Sequence, residues 1–104
     1  MTLFAAIIIV IGFLLLGIMH EQVHVQIYKH YGVDSHVEYF SHFPDLVTIP
    51  DKPCPTPDCV SDNNMNEIVG YPLVVFYWLF SILLLIIIGV EEILINLKLT
   101  EVKQ

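Results

Sequence analysis

The sequence predicts an α-helical membrane protein: two antiparallel transmembrane helices joined by an extramembrane loop of roughly fifty residues that holds short strands. Three observations predict it. Hydrophobic residues make up 56% of the 104 residues and charged residues only 14%, where a soluble domain carries about 25% charged. The deficit is concentrated in two places: residues 3–19 form an apolar run broken only by Gly12 and Gly17, and residues 71–90 form a second in which Ser81 and Gly89 are small or polar. A helix needs roughly 20 apolar residues to cross a bilayer core, and both runs are apolar on every face rather than striped. A helix satisfies its own backbone hydrogen bonds in lipid, so two spans are a self-consistent solution for a chain of one domain.

The first span, 3–19, reads as an uncleaved anchor. A signal peptide has a basic start and a small-residue cleavage site; Met1-Thr2-Leu3 carries no Lys or Arg, and the run ends in Met19-His20-Glu21. No Pro or Gly follows until Gly32, so the helix is expected to continue past the membrane surface to about residue 31 and to stop at Gly32, where a left-handed residue closes a helix. Residues 32–66 form the rest of the loop. Residues 37–40 and 46–49 are short and β-branched or aromatic, and read as two strands of a hairpin turning around residues 41–45. Residues 50–57 read as turn and loop. Asn64 with Glu67 three residues on resembles a capping box, which starts the second helix there. Gly70 and Pro72 are expected to interrupt or kink it as it enters the bilayer. The span 71–90 then runs into a helical tail.

Lys98 and Lys103 follow the second span closely, which favours cytoplasmic termini and an extracytoplasmic loop by the positive-inside rule. Cys54 and Cys59 are the two cysteines, and an even count in such a loop points to a disulfide. The alternatives are half of a zinc site or two free thiols, but a structural zinc normally takes four ligands. The net charge of −7, without a basic patch, argues against nucleic acid as a partner.

The chemistry centres on His20-Glu21-Gln22-Val23-His24. Residues four apart on a helix lie on one face, about 5–6 Å apart at Cβ, so two imidazoles at this spacing can hold one zinc ion while Glu21 reaches a water activated beside it. These ionisable groups cluster at the edge of an apolar span, where such groups are costly and usually functional. The bland alternative is a solvated helix end. A catalytic zinc takes three protein ligands. Two antiparallel spans put residues just before the second span at the same membrane face as His20 and His24, so Glu67 ranks first as third ligand. His36 and His42 rank next, then Glu38 and His30. Glu91 and Glu92 lie about 30 Å away across the bilayer. Asn66 is a candidate to orient a ligand. With zinc in place, Glu21 would be the general base in hydrolysis of a peptide bond near the membrane surface.

His20-Glu21-Gln22-Val23-His24, then Tyr31-Gly32-Val33, then the strand-rich stretch resembles the first third of site-2-protease-like membrane metallopeptidases, over roughly residues 5–50. The resemblance implies zinc ligands at His20 and His24 and a catalytic base at Glu21. That family draws its third ligand, an Asp, from an Asn-Pro…Asp-Gly context on a later span, and no such segment follows here. Gluzincin peptidases take a Glu from a later helix, a pattern to which Glu67 is similar. So short a chain has little with which to enclose a substrate cleft, which keeps a second reading open: a non-catalytic accessory subunit of a larger membrane complex, holding a structural metal or none. Gly12, Gly17, Ser81 and Gly89 would allow close helix contact, within the chain or with the subunits of such a complex.

Overall fold

The computed structural model describes residues 1–42 and 45–103. The element order is α1 (Thr2–His30), β1 (Ser35–His42), β2 (Asp45–Pro50) and α2 (Pro57–Lys103). Both helices are long and apolar enough to cross a membrane, and only 6% of the apolar window of each is buried. They run antiparallel. At one end the main-chain N–H and hydroxyl of Thr2 donate to the Glu92 carboxylate at 2.8 and 2.6 Å. At the other the Tyr31 hydroxyl donates to Asp62 at 2.6 Å. The stretches from Thr2 to Tyr31 and from Asp62 to Glu92 each correspond to about 45 Å of helix at 1.5 Å per residue, so the helices pair along that length without slipping.

α1 contains no helix breaker and stops where Gly32 allows it to. Gly32 adopts φ +75°. Its N–H donates to the Lys29 carbonyl, and the Val33 N–H donates to the Tyr28 carbonyl. This pair of bonds closes the last turn as a Schellman motif, and Val33 is buried beneath it at 3% exposure. The chain then turns back as the antiparallel hairpin β1–β2, with Val37 opposite Thr48 and Tyr39 opposite Leu46, and an irregularity between Tyr39 and His42. The strands are longer than the β-branched cores that announce them. The expected turn falls partly on residues 43 and 44, outside the described residues. The Asp51 N–H donates to the Asp34 carbonyl and closes the open end of the hairpin.

α2 corrects the sequence reading in two respects. It starts at Pro57, not at Asn64, so Asn64 and Glu67 lie inside the helix and form no capping box. The cap is Thr56, whose hydroxyl accepts the Cys59 N–H at 3.3 Å. Pro57 follows at the first helical position, where its fixed φ and missing N–H cost nothing. The helix also runs through Gly70 and Pro72, so the interruption offered as one outcome there is absent. The Cys54–Cys59 disulfide is formed and ties the preceding loop to the first turn of α2.

Contacts between the helices depend on small residues. A Cβ at Gly12 would fall on the Tyr77 hydroxyl, which donates to the Ile9 carbonyl of α1. The Phe13 and Trp78 rings lie beside this bond with centroids 5.0 Å apart. At Gly17 a Cβ would come within 3.2 Å of Leu46 of β2, so the hairpin lies close against α1 just before the HExxH segment. The molecule extends 73 × 23 × 18 Å, with a radius of gyration of 20.4 Å, against about 13 Å for a compact domain of this length. Among the described residues, the buried hydrophobic ones are Ile9, Val33 and Cys59. Most of the large apolar side chains of the two helices are exposed.

Candidate metal centre

Because α1 continues unbroken from its apolar run into the HExxH segment, His20 and His24 project from one face. Their rings meet edge to face with centroids 4.9 Å apart. α2 supplies the third group. One oxygen of Glu67, Oε1, lies 2.7 Å from His24 Nε2 and 3.3 Å from His20 Nε2. Among the described residues, His20, His24 and Glu67 form a group whose ligand atoms all lie within 4.8 Å of one another and that could hold a metal ion. Two imidazole nitrogens and a carboxylate oxygen suit zinc, whose bonds of about 2.0–2.2 Å in a tetrahedron put ligand atoms roughly 3.3–3.5 Å apart. The 3.3 Å separation already fits, and the 2.7 Å one needs only a small opening.

Each side chain is positioned by a neighbour. A Cβ at Gly70 would lie 2.6 Å from His20 Cε1 and 2.7 Å from its Nδ1, so the His20 ring occupies space that any larger residue would take. The Asn66 amide donates to the His20 main-chain carbonyl at 3.2 Å; it holds the backbone of a candidate ligand rather than a ring nitrogen. His24 is 7% exposed, with Nδ1 2.7 Å from Asn63 Oδ1. Partial burial pushes the Glu67 carboxyl up, but the hydrogen bonds to His24 and His20 outweigh it and hold Glu67 below the usual carboxylate range. An ionised carboxylate facing two ring nitrogens is the state a cation requires.

Glu21 stands beside this group rather than in it. The Thr48 hydroxyl, on β2, lies 2.6 Å from Glu21 Oε2 and 3.1 Å from its main-chain carbonyl. Glu21 shares one cavity with His20, His24 and Glu67, of about 770 Å³, within the usual range of about 300–1,000 Å³ for small-ligand sites. So short a chain does form a cleft, because β2 makes the third wall alongside the helices. The cavity's lower part is apolar, with Phe13, Leu16, Leu73 and Val74 among its lining residues.

The other candidate ligands lie elsewhere. His36 Nε2 is 3.7 Å from Glu38 on the same strand, and the His30 ring stacks edge-on against Tyr31. The His42 side chain lies outside what is described. Glu92 bonds Thr2 at the far end of the helix pair. Sequence reasoning passed over Asn63 and Gly70, reading one as a polar residue of a helix start and the other as a breaker. The available signal was the Thr56-Pro57-Asp58 start. With the helix begun there, Asn63, Glu67 and Gly70 fall at i, i+4 and i+7, on one face. No family model, curated protein or solved structure matches the chain.

Proposed function

We propose that this chain is an integral membrane protein of two spans, with both termini cytoplasmic and the loop outside. In this reading it binds a zinc ion through His20, His24 and Glu67 and acts as a metallopeptidase-like hydrolase. The observation that carries it is the convergence of His20 Nε2 and His24 Nε2 on one oxygen of Glu67, from a helix more than forty residues on in the chain. Membrane insertion draws support from the 6% burial of each apolar window, since the core helix of a soluble protein is largely covered. The reading of α1 as an anchor draws support from its unbroken continuation into residues that bond α2 and β2.

A zinc ion held by His20, His24 and Glu67 would supply Lewis acidity, enough to activate a water near neutral pH. The protein's own groups do the rest. His20 and His24 would hold it through the Nε2 atoms that face Glu67, and Glu67 would add the negative charge that a dication favours. Glu21, held on one oxygen by Thr48, accepts the proton of the attacking water and returns it to the leaving nitrogen. The apolar lower part of the cavity takes the membrane-embedded portion of a substrate and keeps bulk water from it, which puts the scissile peptide bond near the membrane surface.

Protein purified from membranes should contain about one zinc per chain. His24→Ala and Glu67→Ala should lose it. Glu21→Gln should keep the zinc and lose hydrolysis of single-span peptides reconstituted with the protein. A wild type without zinc refutes the reading. Full zinc with no hydrolysis by wild type refutes the hydrolase and leaves a structural metal in an accessory subunit.

A further inference from the structure

The His24 ring has a partner on its far side. Asn63 is buried at 8% exposure, and its amide nitrogen is committed: it donates to the Cys59 carbonyl at 2.9 Å. The same nitrogen lies 3.7 Å from Cys54 Sγ and 3.8 Å from Cys59 Sγ. That leaves Oδ1 as the atom facing His24 Nδ1 at 2.7 Å. An amide oxygen only accepts, so Nδ1 must carry the hydrogen. The contact of Nε2 with the ionised Glu67 takes a hydrogen on that nitrogen as well; a cation seated there would replace it and take the Nε2 lone pair, while Nδ1 keeps its hydrogen on Asn63. The orientation of Asn63 is itself enforced. Cys59 is fully buried, and its bond to Cys54 folds the preceding loop against the Asn63 amide.

We propose that Asn63, seated on the Cys54–Cys59 disulfide, is a positioning residue for the metal centre: it fixes His24 in the tautomer that offers Nε2 to the ion. The disulfide holds Asn63 in that orientation and is thereby part of the site's support. This rests on the zinc reading above. Ligating histidines commonly give their second N–H to such a partner, and losing the partner typically costs about 10–100-fold in metal affinity.

The test is a set of zinc dissociation constants, measured by competition with a chromophoric chelator on full-length protein in detergent. Ring-nitrogen NMR shifts of His24 are read alongside. Asn63→Leu keeps the size and removes the acceptor; it should weaken zinc by about 10–100-fold and abolish the Nδ1–H signature of His24. Asn63→Asp still accepts from Nδ1 and should stay within about threefold of wild type, which guards against a simple folding defect. The Cys54→Ala/Cys59→Ala pair should also weaken zinc, but it should cost nothing further once Asn63 is Leu, because the disulfide acts through Asn63. Wild-type affinity in Asn63→Leu overturns the positioning role alone. Independent, additive losses overturn the part given to the disulfide. A wild type that takes up no zinc overturns the metal reading, and the positioning role with it.

Discussion

Gly70 separates stability from function at a single position. A mid-helix glycine costs about 1 kcal/mol relative to alanine, so Gly70→Ala should favour the helix. The added methyl would nonetheless lie 2.6 Å from the His20 ring and push that ring off its line to Glu67. We expect equal or greater thermal stability together with zinc binding weakened by roughly tenfold, the size typical of a disturbed ligand orientation. Gly89, which has open space around it, is the control: Gly89→Ala should leave zinc affinity unchanged. A second residue-scale prediction concerns Tyr31. The hydrogen bond to Asp62, then burial, then the charges of Asp62 and Asp58 raise its phenol from 10.0 to about 12. A raised pKa in the folded state means the contact contributes fully below pH 10 and is lost as pH rises towards 12. Titration followed by phenolate absorbance should show a late phase near pH 12 that Tyr31→Phe removes and Asp62→Asn moves towards 10. At this scale the pairing of His20 with His24 was legible because a spacing of four residues puts both on one helix face. Asn63 was not, since its role depends on which amide atom faces His24, and that is decided by the Cys59 carbonyl.

The two long helices were legible as elements because apolar length is a property of sequence alone, and the stop of α1 at Gly32 because left-handed geometry selects glycine. The start of α2 was missed because two signals competed: Thr56-Pro57-Asp58 and the Asn64…Glu67 pair, of which only the first lies at a helix end. That error hid a further pattern. Cys59, Asn63, Glu67, Gly70, Val74, Tyr77 and Ser81 are all buried or half-buried, at spacings of three and four residues. Most of them are the small or polar members of an apolar helix. On a lipid-facing helix the hidden stripe is the polar and small one, the reverse of the rule for a soluble bundle. The Gly12–Tyr77 contact tests it. Tyr77→Phe should cost about 0.6 kcal/mol and at most roughly 1.7, the range for hydrogen bonds between membrane helices. Gly12→Ala should cost more in the wild type, by driving the hydroxyl off the Ile9 carbonyl. In the Tyr77→Phe background it should cost little, because the nearest ring atom would then be at 3.4 Å. Unfolding titrations of the four proteins in detergent measure the coupling, and additive losses would show that Gly12 and Tyr77 do not act together.

For the molecule as a whole, length decides the topology. α2 has 47 residues, about 70 Å of helix, whereas a hydrocarbon core is about 30 Å thick. As a span it would therefore extend beyond the bilayer at both ends, with residues 57–70, which carry the candidate site and Cys59 of the disulfide, at one face and residues 91–103 as a tail at the other. In the proposed orientation the disulfide would lie in an oxidising compartment, and Lys98 and Lys103 would lie inside, as the positive-inside rule favours. Two independent signals thus favour the orientation proposed above, and the four lysines can report on it because all are exposed. A membrane-impermeant amine reagent applied to intact cells should modify Lys29 and Lys52. Lys98 and Lys103 should react only after permeabilisation, with peptide mass spectrometry reading each site. The inverse pattern would keep both spans but reverse the orientation, and would place the disulfide where thiols are kept reduced. Modification of all four from outside would mean that α2 does not cross, and with it would fall the argument that Glu67 meets His20 and His24 because two spans return the chain to the same face.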